Sequence, residues 1–187
     1  MESRIRIITP STPEEFEKLW RLNYLIFARE LKMRPDTAAE MIVDKFHHKN
    51  IYRAAMETAT GAFTGMISAH WSAPYSAAAH FGDTIAEPPL EGKLAEIRLF
   101  ALLPGYRSTT LAAQLAVPLL QELDSRGVSE VIISGISNMR SFYEHLGFCV
   151  AGAPVKEGST LLYPMRGKLS LILERCRPAL ERYSPKI

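Results

Sequence analysis

The sequence predicts an α/β (α+β) fold: a strongly twisted mixed sheet of about six or seven strands flanked by helices. Three observations carry this. Short β-branched or apolar runs alternate with segments of helical period along the chain. One such run stops at Pro104-Gly105, and a helix start follows at once near Thr109, the order of a βα unit. Later helices end at Gly127 and Gly147, each just ahead of a further strand-type run.

Residues 5–8 are mostly β-branched and end at Thr9-Pro10, which predicts a first strand. Ser11-Thr12-Pro13-Glu14-Glu15 predicts a helix start: a hydroxyl cap, proline in the first turn and acids facing the dipole. Phe16, Leu19, Trp20, Asn23, Tyr24 and Phe27 follow at helical spacing. Residues 31–50 are mixed and predict a short helix and a mobile loop. Residues 51–56 and 63–70 predict two strands joined by Thr58-Ala59-Thr60-Gly61. Residues 72–93, rich in Pro, Ala and Gly, form the one long irregular stretch, and such loops are usually functional or disordered.

The strand predicted for residues 94–103 leads to a helix over about 109–125, with Leu111, Leu115, Leu119 and Leu123 in one stripe and Pro118 expected to kink it. Strands at 131–134, 148–151 and near 161–165, a short helix at 138–146 and an amphipathic helix from about Leu169 to Tyr183 complete the order.

The 187 residues suggest one domain, 1–187, and at 47% hydrophobic and 22% charged they can bury a core without staples. A net charge of +2 gives no global case for nucleic acid. No apolar run approaches the ~18 residues of a membrane span. Met1 to Arg4 leads into a β-type run rather than a signal sequence. Cys149 and Cys176 have neither metal nor redox spacing, so a cytoplasmic setting is the simplest. His47 and His48 are adjacent, which does not place them on one helical face, and no metal site is expected.

Two segments carry chemistry. In Arg107-Ser108-Thr109-Thr110-Leu111-Ala112, a helix N-terminus offers backbone N–H groups and its dipole to an anion, helped by a guanidinium and three hydroxyls. Taken alone, this is also what an ordinary capped βα turn looks like. The second segment, Ser137-Asn138-Met139-Arg140-Ser141-Phe142-Tyr143-Glu144-His145-Leu146-Gly147-Phe148, places a tyrosine on a short helix before a Gly-Phe strand entry.

Together they resemble the GCN5-related N-acetyltransferase (GNAT) superfamily. There a central strand leads to an Arg/Gln-x-x-Gly-x-Gly/Ala phosphate loop, and a later Tyr-x-x-x-Gly-Phe marks the second half. Thr110 stands where glycine is usual, and Asn138 lies closer to Tyr143 than in the commonest form. A Cβ and a branched hydroxyl at Thr110 weaken the close backbone approach that grips a pyrophosphate. A donor presenting only a phosphopantetheine arm needs less from this loop. Further resemblance, to acyl-homoserine-lactone synthases and N-acyl amino acid synthases, rests on residues 24–31, on Asp44-Lys45-Phe46-His47, on residues 51–55 and on Glu96-Ile97-Arg98-Leu99. Asn23 stands where that group tends to have arginine, and His47 replaces an aspartate. Glu96 and Arg98 are one residue closer than usual, so they share one face of the strand.

The resemblance implies an N-acyltransferase that moves an acyl group from a pantetheine thioester to the amine of a small amino-acid-like acceptor. Acyl-CoA or acyl-phosphopantetheine on acyl carrier protein would be a co-substrate, with no tightly bound cofactor. Glu96 is the candidate base, or else a structural partner of Arg98. Tyr143 is the candidate acid, or else a packing tyrosine. The donor site would comprise Arg107, Ser108, Thr109, Thr110, Leu111, Ala112 and Asn138, with a backbone N–H near Leu102 or Leu103 polarising the carbonyl. Trp71, Tyr75 and Phe81 could cover an acyl chain or belong to the core. An acetyl-CoA-dependent N-acetyltransferase and a catalytically silent acyl-thioester or carrier-protein binding module stand as alternatives.

Overall fold

In a computed structural model of the chain, the residues described are 5–181. Among them one eight-stranded sheet runs in the order β1-β2-β3-β4-β5-β8-β6, with β7 paired to β8. The strands are β1 (Ile5–Ile8), β2 (Ile51–Glu57), β3 (Phe63–His70), β4 (Lys93–Leu102), β5 (Val128–Ile136), β6 (Cys149–Val150), β7 (Val155–Glu157) and β8 (Thr160–Lys168). The helices are α1 (Pro13–Tyr24), α2 (Ser76–Phe81), α3 (Thr109–Ser125), α4 (Arg140–His145) and α5 (Leu169–Glu181). Strand pairs are antiparallel except β4–β5, which is parallel.

The two faces of the sheet follow from side-chain alternation. Ala54 and Met66 face α1, packing with Leu19, Leu22 and Ile26. Their neighbours Ala55 and Ile67 face the other way, toward Leu111, Leu115 and Leu119 of α3. β3 is buried along its whole length because helices cover both sides. The expected cap of α1 is present: Thr12 Oγ1 accepts from Glu15 N, and Glu15 reaches back to the Thr12 N–H. α3 is capped by Ser108, whose Oγ accepts from Leu111 N at 3.1 Å, and it continues through Pro118.

Four sequence expectations are corrected. The sheet has eight strands, because a glycine turn at Gly158 (φ +58°) folds the three-residue β7 onto β8. A Cβ at Gly158 would lie 2.3 Å from Lys32 O, so this turn packs directly on the segment after α1. Helical spacing continues to Phe27, but after Tyr24 the chain widens into a π-helix, Leu25–Glu30, closed by Leu31 N donating to Ile26 O at 2.9 Å. Residues 31–50 contain no helix; they are tied down by Ile42 N to Trp20 O at 3.1 Å and by a turn at Asp44, whose Oδ1 accepts from Phe46 N at 2.9 Å. The stretch 72–93 holds α2 and a 3₁₀ turn, Asp83–Ala86. The C-terminal helix predicted to Tyr183 is described as far as Glu181; its last two positions lie outside the described residues. No helix among the described residues is long and apolar enough to cross a membrane.

Candidate active site

The site arises where β4 and β5 part. They pair only from Lys93↔Val128 to Glu96↔Ile132, although β4 runs on to Leu102 and β5 to Ile136. On its other side β4 is distorted against β3. Between Ser68↔Arg98 and Met66↔Ala101, Leu99 and Phe100 oppose the single residue Ile67, with Leu99 at φ +54°. That is a β-bulge, which bends its strand and leaves a residue out of the ladder. The unpaired halves of β4 and β5 border one cavity of about 760 Å³. At one end it reaches Asn23, Asp44, Lys45, Ser76, Glu96 and Arg98. At the other it is apolar, with Ala116, Leu120, Phe148, Leu162, Ile172 and Cys176 in its wall.

The polar end is organised around Glu96, which is 1% exposed. Its Oε1 accepts from Ser76 Oγ at 2.7 Å and Ala77 N at 2.9 Å. Its Oε2 accepts from Ser76 N at 2.8 Å and His70 Nε2 at 3.2 Å, and Arg98 Nη1 lies at 3.5 Å. Arg98 also donates to Ser76 Oγ and, at 2.6 Å, to Asp44 Oδ2, while its guanidinium lies over the Phe46 ring. Asn50 Nδ2 completes the Asp44 shell at 3.0 Å. Burial alone would raise the Glu96 pKa; the His70 hydrogen bond, the Arg98 charge and the Ser76 donors outweigh it and bring it to about 2. Burial likewise acts upward on Asp44, and its bonds to Arg98, Phe46 and Asn50 leave it below the usual carboxylate range. As the strand period requires, Glu96 and Arg98 share a face.

A carboxylate held by this many donors is a weak base. Its partners Ser76 and His70 were not legible in the sequence. His70 lies directly opposite Glu96 in the β3–β4 register, but the long 71–92 connection conceals that pairing.

Tyr143, on α4, lies at the cavity wall near the β5 end, where Gly135 makes room: a Cβ there would sit 3.0 Å from the Tyr143 ring. Burial pushes its phenol up to about 12, so it stays protonated at neutral pH. Leu102, Arg107, Ser108, Thr109, Ala112 and Asn138 also border the cavity. Leu103, Thr110 and Leu111 do not: the Leu103 N–H donates to Thr64 O at 2.8 Å, and Leu111 is part of the α3 core stripe. Leu103 is therefore no source of a free amide for a carbonyl. Ser108 caps the third helical amide, and the Thr109 and Thr110 N–H groups of the first turn have no intrahelical partner. Arg107 reaches across the mouth to Glu30 and donates to Leu102 O at 3.1 Å.

The aromatics of the 71–81 region belong to packing and line no part of the cavity. Trp71 lies under the Arg126 guanidinium, Tyr75 stacks on His70 and donates to Leu94 O, and Phe81 packs with Ile85 and Ile132. Ser76 and His80 are what this stretch contributes to the cavity wall.

A parallel pair that parts beside a bulge, with a helix N-terminus at its mouth, leaves a ligand-sized cavity between the two strands. The chain belongs to the acetyltransferase (GNAT) domain family, whose pattern it matches over residues 34–169. No curated protein sequence matches it. Among solved structures it is similar to the AHL synthase LasI, with a TM-score of 0.73 and 14% identity, covering 89% of this chain and 91% of LasI. It is similar to the CoA-dependent acyl-homoserine lactone synthase BjaI, with a TM-score of 0.73 and 16% identity over 96% and 90%. It is also similar to FeeM, an N-acyl amino acid synthase from uncultured soil microbes, with a TM-score of 0.66 and 17% identity over 90% and 92%.

Proposed function

We propose that this acyltransferase moves a medium or long acyl chain from a pantetheine thioester, on CoA or acyl carrier protein, to the amine of a small amino-acid-like acceptor. The observation that carries this reading is the continuity of the cavity from the polar end at Asp44 and Arg98 to the apolar wall of α3 and α5. An acetyl group would leave the apolar arm unfilled, whereas each methylene buried there adds about 0.8 kcal/mol. The resemblance to FeeM and to BjaI, which is known with SAM and isopentyl-CoA, supports the same reading.

In this scheme the donor phosphate lies at the Thr109 and Thr110 amides, flanked by Arg107, Ser108 and Asn138. The amide released from the ladder at the Leu99–Phe100 bulge polarises the thioester carbonyl, in place of Leu103. Tyr143 gives a proton to the leaving thiolate, and Glu96 holds Arg98, Ser76 and Asp44 in place rather than taking a proton. One sheet takes strands from residue 5 to residue 168, which supports a single domain. The free Cys149 and Cys176 are consistent with a cytoplasmic setting.

The test is a chain-length series of acyl-CoA and acyl-carrier-protein donors against a panel of amino acids, read as thiol release. Roughly eight extra methylenes should favour a fatty donor over acetyl-CoA by several kcal/mol. Tyr143→Phe should lower kcat more than donor affinity. A series won by acetyl-CoA leaves an acetyltransferase. No turnover with any pair leaves the binding module.

A further inference from the structure

Asn23 is in the last turn of α1, is 3% exposed and borders the polar end of the cavity beside Ile26, Ile42 and Asp44. Its Nδ2 donates to Ile42 O at 2.8 Å, which fixes which way the amide points. Among the described residues nothing donates to its Oδ1. The residue is almost wholly buried and borders a ligand-sized space, and the accepting capacity of its amide oxygen is unused.

The acids around it are in the opposite condition. Both oxygens of Asp44 are occupied by Phe46 N, Asn50 and Arg98, and both of Glu96 by Ser76, Ala77 and His70. Glu30 is paired with Arg107 and Glu157 with Arg34. At the polar end an incoming amine therefore meets Asp44 and Glu96, both already coordinated, and an amide oxygen that is not.

We infer that Asn23 seats the acceptor amine, its Oδ1 taking one N–H of the neutral nucleophile. The assignment rests on the acyl-transfer reading above. Its chemistry suits the step. A carboxylate at this position would favour the ammonium form, which has no lone pair to attack with. A neutral amide oxygen orients the nitrogen while leaving its lone pair free. That pair forms the C–N bond to the thioester carbonyl carbon. The C–S bond breaks with its electrons leaving on sulfur. The nitrogen loses one proton to solvent, and the thiolate gains one from the Tyr143 phenol. Because one N–H is held by Asn23 and another must depart, the acceptor is a primary amine; an N-methyl amine has a single N–H for both purposes.

The experiment is steady-state acylation of an α-amino acid and its N-methyl counterpart at saturating donor, by wild type, Asn23→Leu and Asn23→Asp. Wild type should prefer the primary amine. In Asn23→Leu the amine KM should rise about fivefold, the scale of one hydrogen bond, with donor KM unchanged and the preference over the N-methyl amine reduced. In Asn23→Asp the acid limb of the kcat–pH profile should move to higher pH, because a carboxylate retains the ammonium form. This pH readout decides the matter if Asn23→Leu fails to fold. An unchanged amine KM, or equal rises in both KM values, overturns the assignment while acyl transfer stands, and so does an unmoved acid limb in Asn23→Asp. A wild type that acylates no amine overturns the acyl-transfer reading, and this assignment with it.

Discussion

Glu96 shows how a residue visible in the sequence can have surroundings the sequence does not reveal. An acid two positions from an arginine on a central strand suggests either a base or an ion pair. The choice depends on donors from His70, Ser76 and Ala77, which the sequence places up to 26 residues away. Glu96→Gln should destabilise the fold by roughly 3–5 kcal/mol, the scale for breaking a buried ion pair. Its pKa falls from 4.5 to about 2 on folding, so its contribution is fully present above about pH 4.5 and is lost as pH drops toward 2. Denaturant melts between those values should show wild type losing stability more steeply than Glu96→Gln. Equal slopes would remove Glu96 as the acid-sensitive group.

Among the elements, those that obey local rules were legible: the capped α1, the leucine stripe of α3, and strands β2, β3 and β4. Those that depend on distant partners were not. α2 lies in a stretch of Pro, Ala and Gly, and its first amides are capped by Glu96 rather than by a neighbour in sequence. The π-helix after Tyr24 has no periodicity signal to separate it from α1. In the turn before α3, Arg107 engages Glu30 on that π-helix, a partner the sequence places 77 residues away. Arg107 is 49% exposed, so this ion pair is worth about 0–1 kcal/mol, and a phosphate offering about 1.5–3 kcal/mol would displace it. Arg107→Ala should therefore weaken donor binding about tenfold in calorimetry. Glu30→Gln should strengthen it slightly by freeing the guanidinium. Unaltered affinity in both variants would place the phosphate elsewhere.

For the molecule as a whole, the mixed sheet was readable from element order, while the extent of the cavity was not. Its apolar wall combines Ala116 of α3, Phe148 before β6 and Ile172 of α5, three places far apart in sequence. Ala116, a small residue facing that space, should help set the longest chain accepted. Ala116→Leu should lower kcat/KM for the longest donor roughly tenfold, about two methylenes of lost burial, and leave short donors unaffected. A uniform fall across the series would instead indicate general damage to packing. The parting of β4 and β5 bears on how such an enzyme can change over generations. Because the opening is produced by where backbone pairing stops, no single side chain is needed to prop it apart. Substitutions around its rim can recontour the recess for new cargo while the scaffold persists, which makes this position a natural starting point for diversification and for directed evolution.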